Sequence, residues 1–202
     1  MRERGICQRL MQRASGIYHV GLSRHLPLVL AGLLLAAGTS GAADQSWADE
    51  DRDWGVMPST QLRQPPYSAP TPLEIPGVRT LPTQALKDML ESAPELLLID
   101  VASGEGHRTL PGAYWMPGAG RGANFIDEVQ AGLTGLLDRL TQGDKQRALV
   151  FFCVNTQCWL SYNAALRAAA AGYGRVLWYR GGIEAWRAAG LPLVDMGPAK
   201  VQ

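Results

Sequence analysis

Two cysteines, Cys153 and Cys158, lie between the apolar run ALVFFC (148–153) and a helical pattern that begins at Trp159. A thiolate is a strong nucleophile and a ligand for soft metals, and two thiols this close can also form a disulfide. Three hypotheses follow: a redox or sulfur-exchange pair, a structural disulfide, or part of a soft-metal site. A disulfide that closes so short a ring stabilises a fold little, which favours the reactive pair.

The surroundings of Cys153 point to a nucleophile. The pattern places this residue at the end of a buried strand, with a short loop and a helix after it. We expect the amides of residues 154–159 to turn toward the sulfur and the helix N-terminus to add positive charge, and both effects favour thiolate. The alternative is a small apolar side chain that fills the strand end. The candidate substrate-binding residues of this loop are Val154, Asn155, Thr156, Gln157 and Trp159.

Strand and helix patterns alternate along the chain. Short apolar runs predict buried strands at 95–101, 148–153 and 175–179. Helical patterns occur at 83–92 (with Thr83 as a candidate N-cap), 125–140 and 158–174, and a turn with a short helix at 181–190. This alternation predicts right-handed crossovers and a mostly parallel sheet. The fold class is therefore an α/β sandwich with a mostly parallel central sheet.

Asp100 ends the predicted strand next to that of Cys153. Ligands of parallel sheets bind at the carboxyl ends of the strands, so this carboxylate is a third candidate catalytic residue. It could act as a general acid or base, or it could accept backbone hydrogen bonds that shape the following loop.

We predict no metal site, because a lone histidine such as His107 is rarely a ligand. Two thiolates that bind Cu(I) stay open as the alternative.

The N-terminal 43 residues have the pattern of a secretory signal peptide. Five arginines precede the apolar run LPLVLAGLLLAA (26–37), and small residues follow it. The run is shorter than the roughly 20 residues that a membrane-spanning helix needs. We expect cleavage near residue 43 and a periplasmic protein with no membrane span. The alternative is an uncleaved anchor.

Removal of residues 1–43 leaves 14 basic and 17 acidic residues, a net charge of −3. With no basic block, nucleic acid is not an expected partner. Cys7 leaves with the signal, so the cysteines that remain in an oxidising compartment are the pair in the loop.

Seven prolines in residues 44–82 predict an extended arm, or alternatively a linker. Residues 83–196 form the predicted domain and 197–202 a tail.

Four segments carry a resemblance to a known family: LLLIDV, LPGAYWMP, LVFFC and AGYGRVLWYRGGIEAWRAAGLPL. Over residues 83–194 the chain resembles the rhodanese domain. Together with the proline-rich arm and the Cys-Trp dipeptide, it is similar to the rhodanese-like family associated with PQQ-dependent catabolism and named for a CXXCW motif. The resemblance implies a three-layer α/β sandwich and sulfurtransferase chemistry at Cys153. A cysteine persulfide would be the intermediate, and no cofactor is expected.

The chain departs from the rhodanese pattern in its charges. Active rhodaneses often carry a basic residue in the loop, whereas positions 153–158 contain no Arg or Lys. Ala102 stands where an arginine usually follows Asp-Val, and the cysteines are separated by four residues rather than two. Arg180, beside the Gly-Gly turn, is our candidate for the missing substrate-binding charge. Arg108 and Arg121 are similar candidates, with a solvated surface position as the alternative for each.

Three functions from different classes are consistent with these residues. The first is an exported sulfurtransferase or thiol oxidoreductase, with Cys153 as nucleophile and Cys158 as resolving thiol. Its partner would be a small sulfur donor or a periplasmic redox protein. The second is a non-catalytic binding module for quinoprotein dehydrogenase components, and the third is a carrier for a soft metal.

Overall fold

The computed structural model describes residues 45–93, 95–104 and 106–195. The predicted signal peptide (1–43) and tail (197–202) lie outside the described residues. No helix within the described ranges is both long and apolar enough to cross a membrane.

The described residues form a parallel sheet with helices on both faces. Its strands in spatial order are β1 (Arg79–Leu81), β6 (Val176–Tyr179), β5 (Leu149–Phe152), β2 (Leu97–Asp100) and β4 (Tyr114–Trp115). A separate antiparallel pair joins β3 (Arg108–Thr109) to β7 (Val194–Asp195). The helices are α1 (Thr83–Ser92), α2 (Glu128–Thr141), α3 (Trp159–Ala170) and α4 (Gly182–Ala188). The α/β fold predicted from the sequence is confirmed.

Alternate residues of each central strand enter two separate hydrophobic cores. In β5, Leu149 and Phe151 face the core that α2 and α3 cover. Val150 and Phe152 face the other core, which α1 and α4 cover. Because both faces of the sheet are covered, the central strands are continuous apolar runs rather than alternating ones.

The arm packs along the domain and contributes to both its core and its edge. Two pairs of hydrogen bonds join it to α3: the Ser59 amide donates to the Tyr162 hydroxyl (2.8 Å), which donates to the Ser59 carbonyl (2.8 Å). Arg63 and Asn163 exchange two bonds of 2.9 Å in the same way. Residues 79–81, which the sequence analysis placed in the arm, instead form edge strand β1 because they pair with β6.

The start of α1 corrects one sequence prediction. Thr83 is the first helical residue and not the N-cap, a position that Pro82 occupies without a side-chain bond. The carboxylate of Glu50 in the arm accepts from the Thr83 amide (2.8 Å) and hydroxyl (2.6 Å). A residue distant in sequence therefore takes the role of the cap, and local sequence could not reveal it.

An ion pair between the buried Arg167 and the partly exposed Asp127 holds the loop before α2 against α3. The side chain of Arg167 is fully buried, and both its terminal nitrogens bond Asp127, at 2.9 Å and 2.8 Å. Hydrogen bonds from Arg167 lower the pKa of Asp127 to about 2. Asp127 is also the N-cap of α2, since its Oδ1 accepts from the Gln130 amide (2.9 Å).

Because of this ion pair, we expect wild type to lose stability in acid, and we expect Asp127→Asn to remove that dependence on pH. The folded-state pKa lies below the unfolded value, so the contribution is present above about pH 4 and is lost as pH falls through about 2. Asparagine keeps the cap but leaves Arg167 buried without its anion, which costs about 3 kcal/mol near pH 7. In urea unfolding, we expect the difference between wild type and variant to shrink by about 2 kcal/mol between pH 5 and pH 2. A difference that is independent of pH would contradict this account.

Candidate active site at the Cys153 loop

Cys153 and Cys158 lie at the two ends of a short loop and are joined by a disulfide. Cys153 follows β5 directly, Cys158 is the N-cap of α3, and their Cα atoms are 6.1 Å apart. Cys153 is only 2% exposed, whereas Cys158 is half-buried. The structure thus contains the oxidised form of the pair, and reduction would generate two thiols across one turn of chain.

The first half of the loop is held by α4. The amide of Ile183 donates to the Cys153 carbonyl (3.0 Å), and that of Glu184 donates to the Val154 carbonyl (2.9 Å). This approach requires glycine at position 182, where φ is +62° and a Cβ would lie 2.3 Å from the Cys153 carbonyl oxygen. The Gly-Gly segment therefore lets the helix terminus reach the loop backbone.

The amides of the loop do not all turn toward the sulfur. The Gln157 amide donates to Asn155 Oδ1 (3.0 Å) and the Cys158 amide to the Asn155 carbonyl (3.2 Å). The Trp159 amide donates to the Tyr67 carbonyl (2.9 Å). For these three amides the sequence prediction is wrong, because local turn bonds and the arm use them. The amides of residues 154–156 donate to no acceptor among the described residues.

A cleft of about 540 Å³ opens beside the disulfide. The loop contributes Cys153, Val154, Asn155, Gln157 and Cys158 to its lining. The other lining residues are Tyr67 and Ser68 from the arm, Ser103 and Arg121 from loops that follow β2 and β4, and Leu160 from α3. The cleft is therefore built by both the domain and the arm.

Arg121 supplies the cationic side chain of this cleft. It is exposed, and no acidic side chain in the described part of the chain forms a salt bridge with it. Its backbone is fixed by a hydrogen bond, because Arg167 Nη2 donates to the Arg121 carbonyl (2.6 Å). The turn before Arg121 packs closely against α3. A Cβ added at Gly120 would lie 1.9 Å from the Leu160 carbonyl oxygen. Among the described residues, Arg121 is thus the one basic residue that lines the cleft.

Four of the predicted site residues do not line the cleft. Asp100 is fully buried and accepts hydrogen bonds from the Ala102 amide, the Thr109 hydroxyl and His107 Nε2, at 2.6–2.8 Å. It therefore shapes the loop after β2. The other three, Thr156, Trp159 and Arg180, are buried and bonded to the arm. Sequence reasoning did not place Tyr67, Ser68 or Ser103 here; the aromatics interleaved with the arm prolines were the available signal.

The described residues contain no group of three or more His, Cys, Asp and Glu side chains arranged to hold a metal ion.

The chain belongs to the family described as "Rhodanese-like domain", whose sequence model matches residues 82–189. It is 28% identical over 117 residues to a protein of Allochromatium vinosum named "Sulfurtransferase", a match that covers 58% of this chain and 95% of the relative. The solution structure of a rhodanese-like domain from Anabaena is 23% identical, with a TM-score of 0.41 over 62% of this chain and 87% of that one. The crystal structure of a thiosulfate sulfurtransferase from Pseudomonas aeruginosa is 18% identical, with a TM-score of 0.44 over 60% of this chain and 22% of that one.

Substitution of Gly182 by alanine tests how the loop is held. The added methyl group would collide with the Cys153 carbonyl and force an unfavourable positive φ, so we expect a loss of about 2 kcal/mol or more. Gly132→Ala is the matched control, because no atom lies within 4 Å of its added Cβ and the helix gains about 0.5–1 kcal/mol. Chemical denaturation of both variants measures the effect. Equal stability of the Gly182 variant and wild type would show that α4 does not need this close approach.

Proposed function

We propose that this chain is a rhodanese-type sulfurtransferase in which Cys153 accepts a sulfur atom as a persulfide and Cys158 resolves it. The observation that carries the proposal is the placement of both sulfurs, in bonding contact across one loop at an open cleft. The family membership and the name of the Allochromatium relative support the same chemistry.

The proposed reaction has two steps on the protein. The Cys153 thiolate attacks the outer sulfur of a donor such as thiosulfate, and the S–S bond of the donor breaks with its electron pair leaving on sulfite. Cys158 thiolate then attacks the Cys153 sulfur, forms the disulfide seen in the structure and expels the terminal sulfur as hydrosulfide. A dithiol reductant returns both cysteines to thiols and is itself oxidised to a disulfide.

Arg121 takes the electrostatic role that the loop cannot supply. Positions 153–158 contain no Arg or Lys, and Arg180 is buried in bonds to the arm. Arg121 instead reaches the cleft from the loop after β4 without an acidic partner among the described residues. An anionic sulfur donor would gain a charge-assisted contact there, and the amides of residues 154–156 would add neutral donors.

The proposal predicts a stable persulfide when the resolving thiol is absent. Reduced Cys158→Ser treated with thiosulfate and then alkylated should gain one sulfur atom at Cys153, as measured by intact mass and peptide mapping. Reduced wild type should instead return to the disulfide and release hydrosulfide. Cys153→Ser should gain no sulfur. Absence of sulfur in the Cys158→Ser variant would refute sulfur transfer from thiosulfate and would favour the binding-module function.

The role of Arg121 is tested in the same assay. Addition of Arg121→Gln to the Cys158→Ser protein should slow loading by thiosulfate about tenfold, the effect of one lost charge-assisted hydrogen bond. Arg187→Gln is the matched control, because it removes the same charge from an exposed position in α4. Equal slowing by both substitutions would assign the effect to net charge rather than to the cleft.

We also propose that the protein is exported to the periplasm and serves PQQ-dependent alcohol catabolism. The basic, apolar and small-residue pattern of residues 1–43 supports export, and a disulfide persists in an oxidising compartment. The link to quinoprotein dehydrogenases comes from the resemblance to the CXXCW-named family.

This setting predicts a shortened chain and a specific partner. Protein recovered from the periplasmic fraction should have the mass of a chain cleaved near residue 43. A quinoprotein dehydrogenase component should co-purify with it from cells that oxidise alcohols. Full-length protein confined to the cytoplasm would contradict export. If the same proteins co-purified from cells grown with and without alcohol, that result would count against the association.

A further inference from the structure

Residues 67–71 of the arm run antiparallel to the second half of the cysteine loop. Ser68 forms a β-bridge with Cys158. On one side of this bridge the Ala69 amide donates to the Gln157 carbonyl (2.9 Å), and on the other the Trp159 amide donates to the Tyr67 carbonyl (2.9 Å). The backbone is therefore bonded to the arm immediately before and after Cys158.

At the end of this segment, the amide, the hydroxyl and the carbonyl of Thr71 all form hydrogen bonds. Its amide (3.1 Å) and its hydroxyl (2.7 Å) both donate to the Thr156 carbonyl. Its hydroxyl oxygen and its carbonyl accept from Arg180 Nε (3.1 Å) and Nη2 (3.0 Å). All three side chains are 3% exposed or less, so these bonds form away from water, where leaving a donor unpaired is costly.

Arg180 also fixes the arm at an earlier point. Its Nη1 donates to the Glu50 carbonyl (2.8 Å) and its Nη2 to the Arg52 carbonyl (3.0 Å). Arg180 directly follows β6, the neighbour of the strand β5 that Cys153 follows. Its charge-assisted bonds therefore tie the arm to the rigid sheet.

The two halves of the loop are thus held by different elements. The Cys153 half is bonded to α4, and the half that ends in Cys158 is bonded to residues 67–71. We propose that residues 67–71 position the resolving thiol, with Thr71 as the positioning residue that transmits the anchorage of Arg180 to the loop. This segment lies outside the part of the chain, 82–189, that the family model matches. The inference takes from the proposed function only the role of Cys158.

The consequence concerns the step in which Cys158 attacks Cys153. In that step the bond between the two cysteine sulfurs forms, and the bond from Cys153 to the terminal sulfur breaks with its electron pair leaving as hydrosulfide. The same proximity favours the disulfide over the dithiol in any exchange reaction. Loosening residues 67–71 should therefore lower the disulfide equilibrium constant and slow hydrosulfide release.

The test is equilibration of the purified protein in glutathione buffers, followed by alkylation and intact mass. Thr71→Val removes the hydroxyl but keeps the amide, and we expect it to shift the equilibrium about tenfold toward the dithiol. Thr71→Ser restores the hydroxyl and should lie within about twofold of wild type. Thr141→Val removes a buried hydroxyl that bonds Leu137 and Tyr173 away from the site, and it should also stay within about twofold.

Two results would overturn the inference. One is a Thr71→Val equilibrium equal to that of wild type. The other is a Thr141→Val shift as large as that of Thr71→Val, which would assign the effect to general destabilisation. If Thr71→Val does not fold, Ala69→Pro removes the amide that bonds Gln157 without touching Arg180, and the same shift toward the dithiol is expected. An unshifted equilibrium there would likewise overturn the proposal.

The glutathione experiment uses no sulfur donor, so it is independent of the proposed reaction. A shift in Thr71→Val combined with no persulfide in Cys158→Ser would retain the positioning role and reject sulfur transfer. The reverse combination would retain sulfur transfer and reject positioning by the arm.

Discussion

A buried guanidinium with no carboxylate partner among the described residues must bond carbonyl oxygens, and those that Arg180 bonds belong to the arm. The fully buried Arg180 side chain bonds the carbonyls of Glu50, Arg52 and Thr71. Removing any of these acceptors would leave a charged donor unpaired away from water, which costs more than a neutral bond. The arm is therefore a structural part of the site, and the position of the second cysteine depends on it.

This anchorage explains why one loop can hold two sulfurs in reacting distance. Here α4 bonds the backbone at Cys153 and Val154, and the arm bonds the backbone on both sides of Cys158. The cleft beside them stays open to a ligand, with Arg121 as its cation. The two cysteines and the cation that the proposed reaction with an anionic donor would use therefore lie at one edge of the sheet.

Some features could be predicted because their signals are local. Continuous apolar runs indicated the central strands, and a cysteine after such a run indicated the carboxyl edge, where Cys153 indeed lies. Other predictions failed where a distant partner or a turn within the loop decided the outcome. Glu50 replaced Thr83 as the cap of α1, and three loop amides were taken by Asn155 and Tyr67. Glu50 and Tyr67 belong to the arm, so local spacing could not reveal them as acceptors, whereas Asn155 competes through a turn inside the loop itself.

The sequence by itself determined the α/β class, the place of the cysteine pair and the absence of charge from its loop, since these follow from residue type and periodicity. Tertiary structure decided which arginine reaches the cleft. Arg180 stands beside a Gly-Gly turn and Arg121 in a long loop, and their sequence contexts do not distinguish them. The folded chain buries the first against arm carbonyls and leaves the second at the cleft without an acidic partner among the described residues. Burial and partnership arise only when distant segments meet, and they decide whether a charge is structural or free to bind a ligand.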